Sequence, residues 1–269
     1  MRWITNILKG ILVTVSTMVP GVSGGTMAII LGIYDDLIHA ISSFFEDWKK
    51  HSILMIQLLI GAVIGVLLFS RLIESALIKF PIIMSFFFIG VICGGIPTIY
   101  NKTKVNRRSK FNYVYLLVGF VIAILMSSEP EAVTTMATGG DNGSFLFLIL
   151  AGFIIVIALI LPGISGSFML LMLGLYEITL NAINTLNIKF LIPLAIGGII
   201  GTVATTKTIE NLLNKYPHKT YMLILGFVIG SIKPIFPGIP TGMNIIYSIL
   251  SLVIGFGIIH FISKRFSIK

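Results

Sequence analysis

Charge is what this sequence has least of. Only 11% of its 269 residues are Asp, Glu, Lys or Arg, against 56% hydrophobic, where a soluble domain carries about 25% charged residues. That shortage argues against a soluble domain and for a chain immersed in lipid. Apolar runs close to the roughly 20 residues that a helix needs to cross a bilayer recur along the whole length. The single cysteine, Cys93, excludes an internal disulfide, and its apolar neighbours make it a small packing residue. The histidines His39, His51, His218 and His260 are too scattered for metal-ligand spacing, so no metal site is expected. The N-terminal MRWITNILKGILVTVSTM lacks a small-residue cleavage site after a short apolar core and reads as a membrane segment, not a removable signal.

Acidic residues are also scarce relative to basic ones, 10 against 19, for a net charge of +9. Such a balance can mark a nucleic-acid binder. Here the cations sit between apolar runs, where membrane topology and anionic headgroups account for them, and no nucleic-acid partner is expected.

What is present is a duplication. MVPGVSGGTMAIILGIYDD (residues 18 to 36) is echoed by LPGISGSFMLLMLGLYE (residues 161 to 177). Pro20 pairs with Pro162, Gly21 with Gly163, Ser23 with Ser165, Gly24 with Gly166, Gly32 with Gly174, Tyr34 with Tyr176 and Asp35 with Glu177, all at an offset of 142. Residues 59 to 81 then align with 195 to 217 at an offset of 136, pairing Gly61/Gly197, Gly65/Gly201, Arg71/Lys207, Glu74/Glu210 and Pro81/Pro217. Gly90/Gly226 and Gly94/Gly230 keep that register. The chain is read as two copies of one unit, 1–127 and 144–269, joined by an acidic linker at 128–143 that has no Lys or Arg.

Each unit reads as a broken helical hairpin followed by three spans. The expected segments are 3–18 with 24–45, 53–70, 81–99 and 113–127, then 144–161 with 167–185, 191–206, 220–236 and 243–262. If each broken hairpin enters and leaves on one side, fifteen of the nineteen Lys and Arg fall on the face shared by both termini. The positive-inside rule makes that face cytoplasmic, with the linker outside. The second unit then starts from the opposite side to the first. The expected fold is an all-α polytopic membrane protein of two inverted-topology repeats, the architecture of secondary transporters.

The PG motifs place helix breakers where a helix should run on. Proline removes a donor and glycines let the chain turn, while a backbone amide freed in hydrocarbon costs several kcal/mol unless something satisfies it. After each break a new helix starts at Gly24-Gly25-Thr26 or Gly166-Ser167, with Ser23, Thr26, Ser165 and Ser167 adding hydroxyls. Amides and hydroxyls gathered in this way suit an anion, and phosphate in particular. The alternative is a packing kink in which small residues let helices approach. Duplication of the motif in two opposed units favours the site.

The acidic residues carry less information. Asp35 lies eleven residues beyond Gly24, about 16 Å along a continuous helix, so it and Glu177 are either solvated helix ends near an interface or coupling groups. Arg71/Glu74 and Lys207/Glu210 each stand at i, i+3, where opposite charges can neutralise each other. Deep in the membrane they would be gates or counter-charges; at its edge they would be anchors.

These residues resemble a known family. PGVSGGTMAIILGIYDDLI and its echo PGISGSFMLLMLGLYE are similar to the PopT-type polyprenyl-phosphate transporters, and the resemblance covers essentially the whole chain. It implies movement of undecaprenyl phosphate, the lipid carrier of cell-wall sugars, from the outer to the inner leaflet of a bacterial cell membrane. It maps a family motif onto Pro20, Gly21, Ser23, Gly24, Gly25 and Thr26. The second copy departs from that motif, with Ser167 for the second glycine and Phe168 for the threonine.

No nucleotide-binding lysine stands in either motif, so the driving force would be an ion gradient (proton or sodium), the membrane potential or the lipid's own gradient. No cofactor is implied. Two other functions compete. The undecaprenyl-diphosphate phosphatases share a PG motif followed by Ser-Arg-Ser-Gly, but neither motif here contains the arginine that phosphate hydrolysis would use. A transporter of a small anion or another amphiphile shares every argument about the broken helices, because they meet a charge and not a tail.

Overall fold

The apolar runs fold into helices throughout a computed structural model, which describes residues 2–18, 22–103, 113–126 and 141–267. Residues 19–21, which include Pro20 and Gly21, and the stretches 104–112 and 127–140 lie outside the described residues. The first six helices are α1 (Arg2–Thr17), α2 (Gly24–Ile30), α3 (Tyr34–Ser42), α4 (Trp48–Lys79), α5 (Pro81–Thr103) and α6 (Tyr113–Met126). The rest are α7 (Asp141–Ile160), α8 (Gly166–Met172), α9 (Tyr176–Asn184), α10 (Ile188–Lys215), α11 (Pro217–Gly230), a single turn α12 (Ile232–Ile235), and α13 (Asn244–Ser267). Four of them, α4, α5, α10 and α13, are long and apolar enough to cross a membrane, or five spans if the bent pair α2–α3 counts as one. This is a membrane protein. α4 and α10, at 32 and 28 residues, exceed the roughly 20 residues that a hydrocarbon core requires.

Glycines decide which helices lie side by side. A Cβ built on Gly61 of α4 would stand 2.2 Å from the carbonyl oxygen of Ile7 on α1, and one on Gly197 of α10 would stand 1.9 Å from that of Ile149 on α7. Only a residue without a side chain permits such an approach. The same device joins α5 to α13, through Gly90 against Leu252 and Gly255 against Phe87. It joins α6 to α11 through Gly119 against Leu223 and Gly226 against Leu116. So the paired glycines of the duplication are the seams of the fold. Two seams, α1–α4 and α7–α10, lie within one sequence half, and the other two, α5–α13 and α6–α11, join the halves.

The helix expected over 24–45 is instead broken, and α2 meets α3 at 118°. Gly32 has φ +67, in the left-handed region open to glycine, and Gly174 repeats it at φ +65. Each closes a Schellman turn: the amides of Gly32 and Ile33 donate to the carbonyls of Ile29 and Ala28 at 3.0 and 2.9 Å. Gly174 and Leu175 do the same to Leu171 and Leu170, both at 2.9 Å. The helix expected over 167–185 is therefore α8 followed by α9. The distance reckoned from Gly24 to Asp35 along one helix does not hold, because the chain turns between them. The span expected over 220–236 likewise ends early, at Gly230, with α12 following.

The first broken hairpin lies at the centre. Met27, Ala28, Ile29, Ile30, Leu31 and Tyr34 are all buried, packed with Phe88 and Ile92 of α5 and Ile224 and Val228 of α11. The second sits nearer the surface, and Leu171 of α8 is 56% exposed.

Candidate functional site

The two PG motifs, 142 residues apart in sequence, meet in the fold. A Cβ on Gly25 would stand 3.2 Å from both the Cα of Pro162 and the carbonyl oxygen of Ile160. That carbonyl ends α7, where the break leaves it without a helical partner, and the hydroxyl of Tyr34 donates to it at 3.1 Å. The start of α3 thus satisfies the backbone opened at the end of α7. Tyr34→Phe removes this donor from the part-buried carbonyl, an expected loss of about 0.5–1.5 kcal/mol. Thermal unfolding in detergent reads it, and an unchanged midpoint would show that the bond does not hold the break. Pro162 and Gly163 are buried beside it, Gly163 with φ +86 and its α-carbon so close to Phe227 and Val228 that a Cβ would stand 2.5 Å from the Phe227 backbone.

Ser23 precedes α2 in an extended conformation, as an N-cap does, yet its hydroxyl makes no capping bond. Ser23 is 5% exposed and Thr26 is 2% exposed. Among the described residues, neither hydroxyl has a hydrogen-bond partner. Buried hydroxyls are nearly always paired, so two orphans one turn apart at a helix break require an explanation. Gly24, between them, is held against Thr17, whose Cγ2 would be 2.8 Å from an added Cβ. In the second copy Ser165 is half-buried and Gly166 buried, and the side chain of Ser167 lies outside what is described.

The charged residues gather elsewhere, around α3. Asp35 accepts from Lys102 Nζ of α5 at 2.7 Å and from the hydroxyl of Tyr221 on α11. Lys102 also donates to the Tyr221 oxygen at 3.0 Å and lies 5.0 Å above its ring. At the other end of α3, Glu210 of α10 accepts from Ser42 and pairs with His39 Nδ1 at 2.5 Å. His39 in turn meets the ring of buried His51 edge-on at 5.3 Å. Neither expected i, i+3 pair forms: Glu210 turns to α3 instead of Lys207, and Arg71 and Glu74 are exposed with no ion pair among the described residues. The reason is reach, since α3 packs along α10 and brings the His39 ring nitrogen and the Ser42 hydroxyl to the Glu210 carboxylate. Glu177 is exposed and lines a cavity of about 370 Å³ with Asn181, Thr185 and Asn187.

Sequence reasoning passed over His39, Ser42, Lys102 and Tyr221, whose partners are 67 to 186 residues away in sequence. Lys9 stands within α1 and is only 8% exposed, not at a solvated terminus. A lysine seven residues inside an apolar helix was the available signal.

A polytopic helical membrane protein with two broken helices that meet at Gly25 and Pro162 has the architecture of a transporter, and its relatives agree. The chain belongs to the VCA0040-like family, described as undecaprenyl phosphate translocase-like, whose model matches residues 13–248. It is 35% identical to a polyprenyl-phosphate transporter of Staphylococcus aureus over 268 residues, 94% of this chain and 92% of that one. It is 28% identical to a polyprenyl-phosphate transporter of Vibrio cholerae over 251 residues, 88% of this chain and 79% of that one. These are transporters and not enzymes. No solved structure matches the chain.

Proposed function

We propose that this protein carries a polyprenyl phosphate across the membrane and receives its phosphate where the two broken helices meet. The observation that carries the proposal is the pair of buried, unpartnered hydroxyls of Ser23 and Thr26 beside the Gly25–Pro162 contact. Phosphate oxygens accept several hydrogen bonds at once, and bonds to a charged acceptor are about twice as strong as neutral ones. The amides of Gly24 and Gly25 open the helix beside those hydroxyls and complete a small anion site on the first copy. Pro20 and Gly21, outside the described residues, belong to the proposed site through the sequence motif they share with Ser23 to Thr26. Pro162, Gly163, Ser165, Gly166 and Ser167 supply the opposing wall. The family and both relatives named as polyprenyl-phosphate transporters support a lipid phosphate over a free anion.

The two units, 1–127 and 144–269, are read as inverted repeats with both termini in the cytoplasm, which places fourteen of the nineteen Lys and Arg inside, Lys9 being buried within α1, and the acidic linker outside. Arg71 stands 20 residues beyond His51 on α4, about 30 Å of helix and the depth of a hydrocarbon core. Arg71 and Glu74 therefore belong at the far interface. Net movement from the outer to the inner leaflet would return the carrier for another round of cell-envelope synthesis, with a proton or sodium gradient as a driving force. Purified protein in liposomes, with one-sided enzymatic access to a polyprenyl phosphate, tests this. Accelerated crossing is expected. Crossing no faster than in protein-free vesicles, under imposed pH, sodium and voltage gradients, would refute the lipid reading and move the case to a small anion.

A further inference from the structure

The chain repeats its sequence, but the structure does not repeat its contacts. α3 lies along α10, held there by the Glu210 carboxylate on His39 and Ser42. Its counterpart α9 does not lie along α4 in the same way. The offset of 142 makes Asn181 the counterpart of His39 and Asn184 that of Ser42, and the offset of 136 makes Glu74 the counterpart of Glu210. Both copies therefore carry one carboxylate on the long helix and two hydrogen-bond donors on the short one. Histidine and serine donate in the first copy, and two amide side chains can donate in the second. In the first copy the groups are joined. In the second they are apart: Glu74, Asn181 and Asn184 are all exposed, and Asn181 lines the cavity beside Glu177.

We infer that His39, Ser42 and Glu210 form a clasp that shuts one mouth of the transport path, and that Glu74 with Asn181 and Asn184 forms the equivalent clasp at the other mouth when the first is released. This rests on the inverted-repeat reading above, in which the two clasps face opposite sides of the membrane. Two states that exchange one set of contacts for its counterpart give alternating access without any new binding surface. The clasps are unequal. The Asp35–Lys102–Tyr221 contact reinforces the first, while the counterparts of Lys102 and Tyr221 are Gly238 and Ser85, which cannot reproduce it. The state with the first mouth shut is accordingly the resting one.

Ser43 and Thr185, also 142 residues apart, stand just past α3 and α9 and serve as reporters. In a Cys93→Ser background, Ser43→Cys and Thr185→Cys are labelled singly with a membrane-impermeant maleimide applied to either side of sealed vesicles. Labelling from opposite sides is expected. Adding Glu210→Ala should raise the rate at position 43 about fivefold or more and lower the rate at position 185 by a similar factor. Adding Glu74→Ala to Glu210→Ala should return the rate at position 185 toward its starting value. Glu210→Gln, which keeps the side-chain shape, repeats the measurement if the alanine variant folds poorly. Opposite-side labelling with neither rate moving, or both rising together, overturns the clasp and leaves the inverted repeat standing. Labelling of both positions from one side overturns the inverted repeat and the clasp with it. Neither readout depends on which substrate the protein carries.

Discussion

A Ser23→Ala, Thr26→Val variant is expected to be more stable than the native chain and at least tenfold slower at moving lipid phosphate. The two effects have opposite signs for one reason. Both hydroxyls are buried with no hydrogen-bond partner among the described residues, and a polar group in that condition destabilises the fold that contains it. Replacing each by an apolar group of similar shape should stabilise by about 1 kcal/mol. In the proposed site the same hydroxyls would donate to a charged phosphate, and each such bond contributes about 1.5–3 kcal/mol. Its loss corresponds to roughly tenfold to a hundredfold in rate or affinity. Thermal unfolding in detergent and one-sided phosphate access in liposomes measure the two sides. A variant with native transport would remove the hydroxyls from the site, and a lower unfolding midpoint would mean that they serve structure.

The largest loss is expected from Gly25→Leu. The missing side chain of Gly25 faces Ile160 and Pro162 backbone atoms at 3.2–3.3 Å, so the contact between the two breaks has space for at most a methyl group. Leucine would force the breaks apart. Overpacking of this kind costs about 1–3 kcal/mol, which a fold with extensive helix seams can absorb, but the site between the breaks would be displaced. Transport should fall to the level of empty vesicles while the protein still elutes as a single species. Gly25→Ala should be intermediate, and Gly24→Leu, pressed against Thr17, should add to the loss. Native transport by Gly25→Leu would mean that the junction is not where phosphate passes.

Much of this architecture is legible in the residues. The PG breaks were readable because proline and clustered glycines cannot continue a helix, and both α1 and α7 end there. The paired glycines at 61/197 and 90/226 were readable as a repeat, although their role as seams needed the neighbouring backbone. The turn at Gly32 was not readable with the same force. A lone glycine inside an apolar run is tolerated in a helix, and only its left-handed φ and the two carbonyls it closes distinguish a Schellman turn. Glu210 shows a different limit. Sequence offers Lys207 as the nearest opposite charge, but three-dimensional neighbourhood offers His39 and Ser42 from 171 and 168 residues away. Periodicity ranks partners on one helix and says nothing about a helix that arrives from elsewhere.

The seams between α5 and α13 and between α6 and α11 bear on how the protein is made. A ribosome delivers the chain from its first residue, so the glycine grooves of α5 enter the bilayer long before α13 exists to fill them. Until α13 is synthesised, the grooves of α5 are slots that only lipid or another protein can occupy. Packing of the first half is thereby tied to synthesis of α13. A prematurely terminated product would carry the same open grooves, a ready mark for membrane quality control.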